Sequence, residues 1–204
     1  MNSDRAKAAG RTGAVSPDAL LRAEIERLKG TLADARATIA ELEQRADIDP
    51  LLDVFNRRGF ERELKRSLAY VKRYGTAAVL VYVDLDGFKA VNDAHGHAAG
   101  DTLLKAVARE LTGHVRASDV VARLGGDEFG VLMWNVAEPH AAARAADLEQ
   151  RIETLRVRQG AAELSVGASA GVAALRGDLD AAAVIDTADK AMYARKRERR
   201  AKAS

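Results

Sequence analysis

Residues 119–134 read D-V-V-A-R-L-G-G-D-E-F-G-V-L-M-W. Apolar side chains alternate on either side of Gly125 and Gly126, the pattern of two strands joined by a hairpin. The turn delivers Asp127 and Glu128 to the mouth of that hairpin. Carboxylates are depleted from strand starts, so two in succession beside an apolar ribbon fit a bound cation as well as a plain solvated corner.

A second acidic strand end lies upstream. Residues 77–83, A-A-V-L-V-Y-V, are a continuous apolar run of the length of a strand covered on both faces. The run stops at Asp84-Leu85-Asp86, where strand alternation sends Asp84 and Asp86 to one side and Leu85 to the other. Taken alone, D-L-D-G is a strand-ending turn. If the strand lies beside the hairpin, however, Asp84 and Asp127 converge on one hard cation, or on two. A few oxygen ligands suit Mg²⁺ held jointly by carboxylates and substrate phosphates.

Further outward, helical periodicity predicts helices over residues 57–74, 100–115 and 138–156, with strands at 77–84 and 164–173. A last helix begins near Asp180, which serves as its N-cap. Strand, helix, hairpin, helix, strand is the β-α-β-β-α-β order of a ferredoxin-like α/β (α+β) fold, which sets the end of the first strand next to the central hairpin.

The chain has 204 residues, 48% of them hydrophobic, enough for one ordinary core and an appended helix. It has no cysteine, which excludes disulfides and thiolate metal sites and fits a reducing cytoplasm. No stretch has the length of a membrane span, and no secretion signal is evident. A net charge of +2 with 30% charged residues gives no field favouring nucleic acid; the basic run K-R-E-R-R-A-K at 196–202 reads as a solvated helix end.

Residues 1–19 read as a disordered leader, 20–47 as a coiled-coil dimerisation helix and 48–204 as the globular domain. Leu21, Ile25, Leu28, Leu32, Ala35, Ile39, Leu42 and Ala46 alternate spacings of four and three, the heptad of a left-handed coiled coil. Ile at one seam position and Leu at the other favours a parallel homodimer, with Glu24 facing Lys29 across the seam. Gly30 and the alanines weaken that zipper.

The stretch V-D-L-D-G-F-K-A-V-N-D-A-H-G-H-A-A-G-D at 83–101, followed by R-L-G-G-D-E-F at 123–129, resembles the GGDEF family, the diguanylate cyclases. D-P-L-L-D-V-F-N-R-R-G-F at 49–60 and A-D-K-A-M-Y-A-R-K at 188–196 resemble the family's first and last blocks. The resemblance covers about residues 47–200 and implies a palm-type nucleotidyl cyclase domain that condenses two GTP into cyclic di-GMP, with release of two pyrophosphates. It implies metal ligation of Mg²⁺ (or Mn²⁺) by Asp84, Asp127 and the Leu85 carbonyl. Glu128, as the second acid, supports the metal or activates the 3′-hydroxyl. Gly125 and Gly126 admit the nucleotide.

Asn92 and Asp101 match the family's guanine-reading positions, since a carboxylate accepts from guanine N1–H and N2–H₂ and adenine offers no such pair. Asn92 beside Asp93 also fits a turn, and Asp101 a cap on a helix beginning near Thr102. Lys89, Lys196 and Arg200 match phosphate-contacting positions. His95 and His97 stand two apart, a poor spacing for one helical face, and are left out of the site.

Arg116-Ala117-Ser118-Asp119 lies five residues before Gly125, the R-x-x-D spacing of the family's product-binding inhibitory site. Arg144 and Arg151 are both candidates to complete it. The chain departs from the family pattern at Leu52 and Asp53, where Thr and Gly are usual, and at Arg195, Arg199 and Ala201, where small residues or Asn are common. A catalytically silent cyclic di-GMP receptor acting through its helix is the alternative, against which the intact Gly125–Phe129 signature argues.

Overall fold

The structure, a computed structural model, describes residues 17–45, 47–160 and 162–203. The chain divides into two units, residues 1–43 and 44–204.

Helix α1 (Pro17–Arg45) carries the heptads. It begins three residues before the expected boundary, because proline lacks only an N–H that the first turn leaves unpaired, and Asp18 favours a helix N-terminus. Leu21, Ile25, Leu28 and Leu32 are 60%, 42%, 52% and 52% exposed, an apolar stripe uncovered within its own unit. Glu24 is held by Arg27 at 2.7 Å and Lys29 by Glu26 at 2.8 Å, so the expected Glu24–Lys29 pair would have to displace local partners. The side chains of Ile39 and Leu42, the whole of Ala46 and the leader through residue 16 lie outside the described residues.

In the second unit, α2 (Arg57–Tyr74) starts where Asn56 is extended and its side-chain oxygen accepts Gly59 N–H at 3.0 Å. It stops at Gly75, whose φ of 67° suits glycine. Phe60, Leu64, Leu68 and Val71 recur at helical spacing and form its buried face. Strand β1 (Ala78–Asp86) follows, then α3 (Phe88–His95) and α4 (His97–Gly113). The hairpin is β2 (Val120–Gly125) and β3 (Glu128–Trp134). Helix α5 (Glu138–Thr154) leads to β4 (Val157–Gln159) and β5 (Ala162–Leu164), and these to β6 (Gly167–Ala174) and α6 (Ala181–Ala203).

The sheet order is β2-β3-β1-β6 with every neighbouring pair antiparallel, the ferredoxin-like arrangement expected. Helices α3, α4 and α5 cover one face of β1, over Val79, Val81, Val83 and Leu85. Helices α2 and α6 cover the other, over Leu80 and Tyr82. That double cover explains why a central antiparallel strand reads as an uninterrupted apolar run.

Two elements differ from expectation. The helix predicted over 100–115 begins earlier, at His97, and a further helix, α3, absent from the sequence reading, precedes it; the chain turns between the two at Gly96 (φ 80°). The strand predicted at 164–173 is preceded by the β4–β5 hairpin and begins later, at Gly167. Asp180 caps α6 as expected, accepting Ala183 N–H at 2.8 Å.

Two departures from the family pattern have structural reasons. Leu52 is 8% exposed and joins the core. Asp53 sits at φ 55°, a left-handed backbone for which glycine is the ordinary choice. This leading segment runs along β2, with Phe55 N–H on the Val121 carbonyl at 3.2 Å and Arg123 N–H on the Phe55 carbonyl at 2.8 Å.

Candidate active site

The register of β1 against β3 brings the two acidic strand ends together. Asp84 lies directly opposite Glu128, and Leu85 N–H donates to the Asp127 carbonyl at 3.2 Å. Alternation then acts as the sequence predicts. Leu85 is 1% exposed in the core under α3 and α4, while Asp84 and Asp86 turn to α6.

Helix α6 reaches them because Gly171 lets it lie directly on β6. A Cβ there would collide with the Ala188 carbonyl and Met192 N. One turn beyond Met192, the Lys196 ammonium contacts Asp84 Oδ1 and stands 3.7 Å from Asp86 Oδ1. Ser169, fully buried, donates to Asp86 Oδ2 at 2.7 Å. Burial pushes the Asp84 carboxyl above its ordinary range; Lys196 opposes that, and the charges of Asp127 and Asp86 reinforce it.

A desolvated carboxylate crowded by two others is a place a divalent cation would relieve. Among the described residues, however, no three His, Cys, Asp or Glu side chains are grouped to hold a metal by themselves. Asp84 and Asp127 fit a divalent cation whose remaining ligands would come from phosphate oxygens and water. Glu128 is engaged elsewhere: Arg57 Nη2 lies 3.6 Å from its Oε2.

The turn is shaped for a ligand. Gly126 has φ 38°, and a Cβ there would meet nothing within 4 Å; one at Gly125 would meet only Glu128 Oε2 at 3.5 Å and Arg57 Nη2 at 3.9 Å. Arg123 holds the turn by donating to the Gly126 carbonyl at 2.8 and 3.0 Å and pairing with Asp49 at 3.3 Å. Arg57 donates to the Leu124 carbonyl at 2.6 Å. Neither arginine was singled out from sequence, although both lie inside the quoted motifs.

Asn92 lies within α3 and Asp101 in the second turn of α4, so the turn and cap readings of these residues do not hold. Asn92 Oδ1 is buried without a hydrogen-bond partner, and Gly100 leaves it room, since a Cβ there would collide with it. An unsatisfied buried acceptor of this kind is costly and fits a donor supplied by a ligand. Asp101 and Lys89 are exposed.

At the R-x-x-D turn, Asp119 Oδ2 accepts Arg116 N–H at 2.9 Å and Oδ1 accepts Trp134 N–H at 3.0 Å. Its carboxylate thus ties the loop to the end of β3, while the Arg116 side chain is exposed. Arg144 donates to the His114 carbonyl at 3.2 Å, beside this turn; Arg151 is tied to Asp147 at 3.0 Å and to Glu110 at 3.9 Å. Of the two candidates, Arg144, on α5, contacts the segment that leads into Arg116.

The departures on α6 form a charge network. Arg195 pairs with Glu149 at 2.8 Å, and that carboxylate, 3% exposed, also accepts Ala170 N–H at 2.8 Å. Arg199 reaches Glu153 at 3.1 Å and Asp86 at 3.6 Å. Lys196, between them on the helix, is thereby carried by a segment fastened to α5 and β1.

Residues 46–202 match the family described as diguanylate cyclase, GGDEF domain. The chain is 37% identical over 180 residues to the diguanylate cyclase TpbB of Pseudomonas aeruginosa, covering 87% of this chain and 40% of that protein. It is also 37% identical over 187 residues to the diguanylate cyclase DgcP of the same organism, covering 87% of this chain and 27% of that one. It therefore spans two fifths or less of these relatives. Among solved structures, a sensory box/GGDEF family protein of Caulobacter crescentus superposes with a TM-score of 0.69 at 36% identity, over 74% of this chain and 99% of that one. The coiled coil and GGDEF domain of DgcB from the same organism, in complex with c-di-GMP, superposes with a TM-score of 0.73 at 25% identity, over 87% and 95%.

Proposed function

The chain belongs to the GGDEF family of diguanylate cyclases, and on that premise we propose that it condenses two GTP into cyclic di-GMP. The observation that carries this reading is the convergence of Asp84 with the Gly125–Glu128 turn, fixed by the Asp84–Glu128 register and the Leu85–Asp127 hydrogen bond. Each subunit holds one GTP, and two subunits meet face to face so that each 3′-hydroxyl attacks the other nucleotide's α-phosphate. Pyrophosphate leaves at each attack.

Charge and positioning limit such a transfer. Asp84 and Asp127 hold the Mg²⁺, which when bound lowers the hydroxyl pKa and neutralises phosphate charge. Lys196 exchanges its carboxylate partners for phosphate oxygens, with Lys89 and Arg200 beside the same phosphates. Asn92 and Asp101 select guanine. Glu128, paired with Arg57, accepts the 3′-hydroxyl proton. A GTP substrate supports a cytoplasmic location; among the described residues no helix is long and apolar enough to cross a membrane.

The test of base choice is incubation with Mg²⁺ and GTP, ATP or both, followed by chromatography of the products. Consumption of GTP alone is expected. A product containing adenine would overturn the guanine assignment.

Product feedback belongs to the same reading, through Arg116 and Asp119 with Arg144. Arg116→Ala is expected to weaken inhibition by cyclic di-GMP roughly ten- to hundredfold, the value of one charge-assisted contact. Identical inhibition curves for variant and wild type would reduce Arg116 to a surface charge.

The exposed Leu21–Leu32 stripe supports a parallel homodimer through α1, which raises the local concentration of one cyclase domain around the other. Activity per subunit is then expected to rise with protein concentration. Changing Ile25 and Ile39 together to Asn shifts that rise to higher concentration and leaves the plateau in place. Coincident curves, or a fully active wild type that sediments as a monomer, would remove the helix from dimerisation.

A further inference from the structure

Asp86 ends β1 on the side where Asp84 meets α6, and its two carboxylate oxygens have different neighbours. Oδ1 stands 3.7 Å from the Lys196 ammonium. Oδ2 accepts the Ser169 hydroxyl at 2.7 Å and lies 3.6 Å from Arg199 Nε. Lys196 and Arg199 are three apart on α6, so two cations on one helix face address one carboxylate. The neighbouring strand makes room for this. Gly167 pairs with Asp86 in the β1–β6 register, and a Cβ there would stand 3.2 Å from the Asp86 Cβ and 3.8 Å from Arg199 Nη2. From the other side Glu153, on α5, accepts from Arg199 Nη2 at 3.1 Å and holds the guanidinium beside Asp86.

Lys196 must leave its carboxylates when phosphate arrives. Asp86 has no step of its own in the reaction, so any hold it keeps on Lys196 is a hold against the phosphate. Arg199 and Ser169 satisfy Asp86 at Oδ2 and weaken that hold. Arg199 and Asp86 are 25% and 26% exposed, so water screens their interaction only in part and a neighbouring charge counts.

We infer that Arg199 is a positioning residue for Lys196: by engaging Asp86 it leaves the ammonium free to pass to the phosphates of GTP. The inference rests on the phosphate role given to Lys196 above. It gives a use to a side chain at which this chain departs from the family's last block, and it places that use in substrate binding and not in the chemical step.

With the full chain, Arg199→Ala is expected to raise KM for GTP about tenfold, well within the interaction of two partly screened unit charges about 4 Å apart, with kcat within about twofold of wild type. GTP with a methylene in place of its α,β-bridging oxygen binds without transfer, and its Kd by calorimetry is expected to rise equally. KM and Kd do not depend on the folded fraction, so a variant that is merely less stable moves neither. Asp86→Asn keeps an acceptor for Ser169 and removes the charge. In that background Arg199→Ala is expected to change KM by less than about twofold. A KM unaltered by Arg199→Ala overturns the inference, as does a loss in kcat alone or a KM that rises without Kd. So does a rise of the same size beside Asp86→Asn, which would make Arg199 a phosphate contact in its own right. A wild type that makes no cyclic di-GMP instead overturns the cyclase reading, and the inference with it; an active wild type matched by Arg199→Ala overturns the inference only.

Discussion

Asp127→Asn is expected to abolish cyclic di-GMP formation at saturating Mg²⁺ while the protein stays folded. The substitution is nearly isosteric and leaves the main-chain carbonyl that accepts Leu85 N–H, so the β1–hairpin junction keeps its geometry. What it removes is one of the carboxylates that crowd Asp84 at this junction, while Glu128 pairs with Arg57. With the remaining ligands coming from GTP and water, loss of one negative ligand leaves too little to hold the ion and phosphates in line. Asp84→Asn is expected to be equally inactive. It also deprives Lys196, whose side chain is 18% exposed, of its nearest partner and leaves Asp86 at 3.7 Å, so its unfolding midpoint is expected to fall further. Turnover near wild type in Asp127→Asn, by product chromatography, would contradict the metal role.

Arg195→Ala is expected to cause the largest loss of stability. It leaves Glu149, 3% exposed, with the Ala170 N–H and the more distant Arg199, whose Nη1 is 3.9 Å from its Oε2, and a buried carboxylate that loses its nearest cation is costly. Because Arg195 itself is 36% exposed, the expected cost is discounted to about 3 kcal/mol, or a midpoint roughly 6–12 °C lower. Arg195→Ala combined with Glu149→Ala is expected to cost less than Arg195→Ala alone, about 1–2 kcal/mol, since the buried charge is gone, the Ala170 N–H lacks its partner, and Arg199 keeps Glu153 and Asp86. Thermal unfolding of the three proteins decides this. A double variant less stable than the single one would show that the pair stabilises by attraction and not by relieving a buried charge.

These two sites differ in how far the sequence discloses them. The strand of residues 77–83 and the hairpin at 119–134 are legible because their periodicity follows from being covered on both faces or bent at two glycines. Asp84 and Asp127 are legible for the same reason, as acids at the ends of apolar runs. The break between α3 and α4 is not, because Gly96 and Gly100 give one signal for two purposes: the first turns the chain, and the second sits inside a helix to clear Asn92. Nor is the pairing of Arg195 with Glu149, 46 residues away, or of Arg57 with Glu128, since contacts set by helix placement leave no local pattern. Arg195 and Arg199 read from sequence only as departures from the family's last block. In the fold they fasten it.

The most direct test of the central claim is to quantify pyrophosphate and nucleotide product in one reaction of the purified protein with GTP and Mg²⁺. Two pyrophosphates released for each cyclic di-GMP formed, with no linear dinucleotide accumulating, is the predicted result. GTP left intact, or pyrophosphate released without cyclic di-GMP, would contradict it.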